Sequence, residues 1–263
     1  IAEVQNSLRV KRLSSETRGR IHDRYRNSSR RVIFLDYDGT LIAYGETPGV
    51  LDTPTRDALR RLASDERNHV VILSGRQKNF LDRTLGDIPV SIVAGHGVWV
   101  KEKNGDWELM EQVTPGWKEE ILPILELYRD RTPGSAVEEN DYSLVWHYRR
   151  AEPELAAVRL SELKDALLSL ISNLDLSLLE GNKMSEVKNS DVSKGRAAAR
   201  WLDGGQWDFV LAVGDDWTDE DIFSMLSDEH FSIKVGVDIS SANYFLESPD
   251  KVRELVQELA ALS

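Results

Sequence analysis

The chain has no cysteine in its 263 residues. Disulfides, a thiolate nucleophile and a zinc–thiolate site are therefore excluded. Positive charge is also scarce: 33 Lys and Arg stand against 45 Asp and Glu, a formal net charge of −12. A surface of that sign argues against nucleic acid or an anionic membrane as a partner. No apolar stretch reaches the roughly 18 residues needed to span a bilayer, and no signal-peptide pattern opens the chain. Repeats and low-complexity tracts are missing. Gly95-His96-Gly97 lacks the third glycine of a dinucleotide fingerprint, and no NTPase-type phosphate loop occurs. This composition agrees with a soluble, cytoplasmic protein.

The most informative residues present are Val32-Ile33-Phe34-Leu35-Asp36-Tyr37-Asp38-Gly39-Thr40-Leu41. The apolar run predicts a short buried strand that stops at Asp36. Asp38 comes two positions later, and Gly39 lets the backbone turn at once. At the carboxyl end of a strand in an open α/β sheet, both acids stand in the crevice where such folds bind ligands. Anions this close repel unless a cation lies between them or one is protonated. An Asp-Gly turn that merely caps the strand is the alternative. A calcium loop is not, because its twelfth position counted from Asp36 is Thr47 and not Glu.

Phe209–Gly214 is a second apolar run, and it leads into Asp215-Asp216-Trp217-Thr218-Asp219-Glu220-Asp221. Thr218 to Asp221 also read as a cap for the next helix, whereas Asp215 and Asp216 sit at the strand end. Carboxylates without a Cys or His cluster suit Mg2+, which takes one or two of them plus water and substrate phosphate. Val70–Leu73 ends in Ser74-Gly75-Arg76, a hydroxyl and a glycine able to donate to a phosphate oxygen or, equally, an N-cap. Ser193-Lys194-Gly195-Arg196 opens a helix with a lysine placed against the dipole, which invites a phosphate partner.

In that order, Asp-x-Asp-Gly-Thr, Ser-Gly-Arg, Lys-Gly and Gly-Asp-Asp resemble the motifs of the haloacid dehalogenase-like phosphohydrolases. Tyr37 between the acids, the Gly214 to Asp221 segment and Trp146-His147-Tyr148-Arg149 narrow the resemblance to the trehalose-6-phosphate phosphatases. That resemblance implies a Rossmann-like α/β core with a parallel sheet and an inserted α+β cap domain. It implies Mg2+ as cofactor, held by Asp36, the Asp38 carbonyl and Asp215, with Asp216 or Asp219 reaching it directly or through water. Asp36 is then the nucleophile and Asp38 the acid and base. Ser74 and Lys194 hold the phosphoryl oxygens, with Gly75 and Arg76 on the substrate side. The substrate implied is a small sugar phosphate, trehalose 6-phosphate. A phosphatase of sucrose phosphate or of a mannosyl phosphoglycerate shares the core motifs, as does a phosphomutase. A catalytically silent regulatory domain of a trehalose synthase is the non-enzymatic reading, and the intact Asp36, Asp38, Lys194 and Asp215 weigh against it.

The pattern along the chain changes more than once. Residues 1–31 are basic and helix-like, with Leu8, Leu13, Ile21 and Tyr25 apolar among Arg and Lys. Starting at Ile1, they resemble the linker to a glucosyltransferase domain in two-domain trehalose enzymes; a helix packed on the core is the alternative. Strands at 32–35, 69–73 and 90–94 alternate with helices at 53–64 and 77–85, and a hairpin extends to 110. This makes 32–112 the first part of the core. Over 113–188 the rhythm becomes a helix at 116–131, a strand at 143–148, a helix at 153–172 and two short strands to 188. The core resumes over 189–263 and ends in a helix at 249–262. The insert at 113–188 falls where the resemblance expects the cap, and Glu138, His147, Arg149, Lys183 and Glu186 are expected to bind sugar there. A Val-Glu-x-Lys segment of those phosphatases reads here Val137-Glu138-Glu139-Asn140.

Overall fold

The computed structural model describes residues 10–45, 49–110, 115–181 and 183–263, the side chain of Ser169 excepted. Leu8, Thr47, Asn182 and the expected boundary at 113 lie outside the described residues. In chain order the elements begin with β1 (Lys11–Arg12), α1 (Ser15–Asn27), β2 (Arg31–Asp36), α2 (Thr53–Ser64), β3 (Asn68–Leu73), α3 (Lys78–Leu85), β4 (Ser91–Ala94), β5 (Trp99–Lys101) and β6 (Trp107–Leu109). Next come α4 (Lys118–Asp130), β7 (Ala136–Asn140), β8 (Ser143–His147), α5 (Pro153–Asn173), β9 (Leu176–Gly181) and β10 (Met184–Asn189). The last are α6 (Lys194–Leu202), β11 (Phe209–Gly214), α7 (Glu220–Met225), β12 (Phe231–Val235), β13 (Tyr244–Leu246) and α8 (Pro249–Ala261). They form two compact units, one of residues 1–110 and 193–263, the other of 111–192.

The first unit is built on a sheet of order β1-β13-β12-β11-β2-β3-β4-β5-β6. Pairing is parallel from β1 to β4, and β5 and β6 join antiparallel. Both faces are covered, which is why β2 is apolar without alternation. Ile33 and Leu35 pack with Ile21, Leu59, Leu62, Leu81 and Leu255 on one face. Val32 and Phe34 pack with Ala197, Ala198, Trp201 and Ile222 on the other. From β2 the chain moves to β3 on one side, and β11 later returns to its other side. The strand order reverses at β2, and ligands of open α/β sheets bind outside the carboxyl ends at such a point. Asp36 is level with Leu73 of β3, and Leu35 with Val213 of β11. Asp36, Ser74 and Asp215 therefore emerge on one edge.

Residues 10–31 pack against this unit. Ser14 caps α1 by accepting from the Thr17 N–H at 3.1 Å, and Ile21 and Tyr25 are fully buried. The buried Arg31 guanidinium lies 3.9 Å from the Tyr25 ring centroid and donates to Asn68 Oδ1 at 3.2 Å. Before that helix the chain forms β1, a strand where only helix was expected. Lys11 and Arg12 are exposed and carry no apolar pattern; β1 exists because it pairs with β13.

The second unit is an antiparallel sheet of order β7-β8-β10-β9 with α4 and α5 packed on it. Trp117, Ile121, Leu125, Leu163 and Leu167 meet Leu144, Trp146 and Val187 in its core. The pleat sends Val145 and Glu186 to the opposite face, with Glu138 across from Val145. The strand β7 carries no period-two apolar signal. It is a polar edge, the kind of strand that resists pairing with other chains. Among the described residues no helix is long and apolar enough to cross a membrane.

Trp146 is fully buried at the centre of that core. Trp146→Ala is expected to destabilise this unit by about 3–5 kcal/mol, measured by urea denaturation followed by circular dichroism. A loss under about 1 kcal/mol would mean that the helices close over the vacated space.

Candidate active site

Asp36 ends β2 and is almost wholly buried. The Tyr37 N–H still pairs with Leu73 O at 3.0 Å, so the nucleophile candidate is held from a rigid strand. Gly39 then turns with φ of +83°, and a Cβ there would lie 2.2 Å from Asp215 Oδ2. Glycine is needed for two reasons: the left-handed backbone, and the close approach of the carboxylate arriving from β11. Thr40 Oγ1 donates to that carboxylate at 3.3 Å.

After Gly214 the chain makes a single 3-10 turn over Trp217–Asp219. Asp216 Oδ1 accepts from the Thr218 N–H at 2.8 Å, and the Asp216 N–H donates to Asp219 Oδ2 at 3.3 Å. The sequence placed the capping alternative at Thr218 to Asp221, whereas the reciprocal cap is made by Asp216 and Asp219, and the helix that follows has no side-chain cap of its own. The reciprocal cap serves the site as well, because it folds Asp219 back toward Asp36. Opposite, Ser193 caps α6 by accepting from the Arg196 N–H at 3.1 Å. Lys194 occupies the first helical position and is buried. Its Nζ lies 2.6 Å from Asp36 Oδ1, 3.0 Å from Asp219 Oδ1 and 3.8 Å from Asp216 Oδ1. Those carboxylates compensate a cation set against the helix dipole.

One ammonium thus faces three carboxyl groups, and the Asp215 carboxyl lies beside those of Asp36 and Asp219. Burial pushes the Asp36 carboxyl well above its ordinary range; Lys194 opposes this, and Asp215 and Asp216 reinforce it. Asp219 is raised for the same leading reason, with Lys194 opposing and Asp36 and Asp216 reinforcing. Burial also raises Asp215, with Asp216 and Asp219 adding to it. For Asp216 burial is outweighed by Lys194 and by the Thr218 hydrogen bonds, which hold it at about 2. Burial would lower Lys194, but Asp219 and Asp36 outweigh it and keep the ammonium charged.

Asp36 Oδ2 is buried with no hydrogen-bond partner. Carboxylate oxygens of Asp36, Asp215 and Asp219 lie within 4.8 Å of one another. Oxygen donors only, an unpaired buried carboxylate oxygen and an excess of negative charge fit a hard divalent cation such as Mg2+. Asp216 Oδ1 accepts from Thr218, and the Asp38 carboxylate accepts from Arg76.

Ser74 is buried at the end of β3, and its Oγ accepts from the Arg76 N–H at 3.0 Å. Its own O–H remains a donor. Gly75 makes room for an imidazole, since a Cβ there would lie 2.1 Å from His96 Nε2. His96 has φ of +56°, its N–H donates to Ser74 O at 3.0 Å, and its ring is among the groups that lower Asp216. Such backbone outliers concentrate at functional sites. The sequence signal available was the glycine on either side of a histidine at a strand end. Lys234, buried near the end of β12, donates to Asp215 O at 2.5 Å. A lysine inside the apolar run Phe231–Val235 was its signal.

In the second unit, His147 Nε2 lies 2.7 Å from Glu138 Oε2, across β8 and β7. Glu186 is buried on β10, Arg149 is exposed after β8, and exposed Lys183 has φ of +62° in the turn before β10. Lys118 from α4 reaches the carbonyl of Asn140 and lies 3.2 Å from Glu139.

The family model described as trehalose-phosphatase matches residues 34–253. This chain belongs to the trehalose-phosphatase family. A bifunctional trehalose-6-phosphate synthase/phosphatase from Thermoproteus tenax is 35% identical over 260 residues, which are 98% of this chain and 35% of that protein. The chain spans about a third of the length of the curated relatives it matches. The C-terminal domain of C. albicans trehalose-6-phosphate phosphatase superimposes with a TM-score of 0.87 at 28% identity, covering 97% of this chain and 99% of that domain. A haloacid dehalogenase-like hydrolase from B. subtilis shares the fold, with a TM-score of 0.59 at 16% identity over 86% of this chain and 98% of that one. The family core is thus a Rossmann-like α/β fold of the haloacid dehalogenase type.

Lys194→Ala would leave Asp36 and Asp219 buried without their cation. Removing one partner of a buried ion pair typically costs about 3–5 kcal/mol, and a loss in that range is expected at neutral pH by chemical denaturation. Unchanged stability would mean that both carboxyls are protonated in the folded wild-type protein.

Proposed function

We propose that this chain is an Mg2+-dependent phosphatase that hydrolyses trehalose 6-phosphate through a phosphorylated Asp36. The observation that carries the reading is Asp36 itself: a buried carboxylate with one oxygen on Lys194 and the other unpaired, beside Asp215 and Asp219. Membership of the trehalose-phosphatase family supports the choice of ester. The T. tenax relative supports a longer chain in which this piece is joined to a synthase.

In this reading the Asp36 carboxylate attacks phosphorus. The bond from phosphorus to the sugar oxygen breaks, and Asp38 gives that oxygen a proton. Asp38 then takes a proton from the water that attacks the phospho-enzyme, which releases phosphate and restores Asp36. One group serving as acid and then base is what the two half-reactions require. Lys194 offsets the charge of Asp36, and the Ser74 hydroxyl donates to a phosphoryl oxygen. Asp36, Asp215 and Asp219 would hold Mg2+, together with the Asp38 carbonyl and, directly or through water, Asp216; the ion would supply positive charge to the phosphoryl group. Gly75 and Arg76 flank the phosphate. The 113–188 segment serves as the cap and recognises the sugar through Glu138, His147, Arg149, Lys183 and Glu186.

Phosphate release from trehalose 6-phosphate is expected with Mg2+, to vanish in EDTA, and to return when Mg2+ is restored. Asp36→Asn should fold normally by circular dichroism and release no phosphate, because an amide neither attacks phosphorus nor carries the charge. Turnover by that variant, or full activity in chelator, would overturn the mechanism.

A hydrogen bond to a charged group is worth about 1.5–3 kcal/mol. Glu138→Ala should therefore lower kcat/KM for trehalose 6-phosphate by about one to two orders of magnitude relative to p-nitrophenyl phosphate. Equal losses on the two esters would remove Glu138 from sugar recognition.

A further inference from the structure

The Arg76 guanidinium is forked onto the Asp38 carboxylate through Nε and Nη2. Its Nε lies 3.0 and 2.8 Å from the two oxygens of Asp38, and its Nη2 lies 2.6 Å from Oδ1. Among the described residues Arg76 is the group that hydrogen-bonds the Asp38 carboxylate. The guanidinium is in turn held from other sides. Its carbon lies 4.2 Å from the Phe80 ring centroid and 5.7 Å from that of Tyr37. The Gly49 backbone passes close enough that a Cβ there would sit 2.6 Å from Nη2, and the Tyr37 hydroxyl fixes that backbone by donating to Gly49 O at 3.0 Å.

An exposed Arg–Asp pair contributes little to stability. This one is half-buried, forked and walled in, two residues after the nucleophile. A fork fixes the plane and direction of a carboxylate in a way that a single ammonium cannot. We propose that Arg76 is a positioning residue: it aims the Asp38 carboxyl at the leaving oxygen of the ester, and phosphate binding is not its main task. The inference rests on the phosphatase reading, in which the ester P–O bond breaks, the Asp36–phosphorus bond forms, and the Asp38 proton passes to the departing oxygen.

The leaving group separates the two roles. A sugar alkoxide needs that proton, whereas p-nitrophenolate leaves without it. The constant kcat/KM covers steps only as far as release of the alcohol, so hydrolysis of the phospho-enzyme does not enter it. General acid catalysis contributes about 10²–10⁴-fold. Arg76→Lys, which keeps the charge and loses the fork, and Arg76→Gln should lower kcat/KM for trehalose 6-phosphate by about 10²-fold. The loss should exceed that on p-nitrophenyl phosphate by about tenfold or more. Gly49→Ala displaces the guanidinium without removing it and should show the same selective loss; circular dichroism checks the fold of each variant. Equal losses on both esters would assign Arg76 to the phosphate and overturn the proposal, as would retention of full activity by Arg76→Lys. A wild-type protein inert on both esters would instead overturn the phosphatase reading, and this inference with it.

Discussion

Lys194 is the constraint around which the active-site edge is organised. Its ammonium sits between Asp36 and Asp219, in a place where neither carboxylate has water to stabilise it. The three residues come from β2, from the start of α6 and from the turn after β11, so a single charge ties three elements together. A cation so buried is tolerable only when it is paired and hydrogen-bonded. Its position at the first turn of a helix adds a further cost, which the surrounding acids offset. The charges do not balance, however. Three carboxyl groups lie within 4 Å of that ammonium and Asp215 stands beside them; burial first, and the neighbouring carboxylates second, raise Asp36, Asp215 and Asp219.

Close backbone approach makes this geometry possible. Gly39 admits the Asp215 carboxylate, and Gly75 admits the His96 imidazole. In both places any side chain would strike a group that the site uses. The parallel sheet does the rest. Because β11, β2 and β3 run side by side in register, every polar residue at the end of an apolar run arrives on the same edge.

The second unit divides its labour by pleat. Odd and even positions of β8 and β10 face opposite ways, so Leu144, Trp146 and Val187 meet the helices while Val145 and Glu186 turn to the other face. An apolar core on one face leaves the other free to carry polar groups such as Glu138 and His147. Lys118 approaches Asn140 through the carbonyl of that residue, a main-chain contact that no side-chain pattern encodes.

Most of the architecture was legible without coordinates. The apolar runs ending at Asp36, Ser74 and Asp215 indicated buried strands, and their alternation with helices indicated a parallel sheet. The helices expected at 53–64 and 153–172 form at Thr53–Ser64 and Pro153–Asn173. Asp36, Asp38, Ser74, Lys194 and Asp215 stood out because each breaks the pattern of its own segment. Other features left little trace. The strands β1 and β7 exist through their partners, and neither carries a period of its own. His96 and Lys234 looked like ordinary residues of a loop and a strand until the sheet placed them beside Asp216 and Asp215. The pairing of Arg76 with Asp38, 38 positions away, was likewise invisible. Sequence periodicity reports which face of an element is buried, and motif spacing reports which polar groups a strand delivers at its end. Which distant charge completes a given carboxylate depends on strand order and register, and those are decided only when the whole sheet forms.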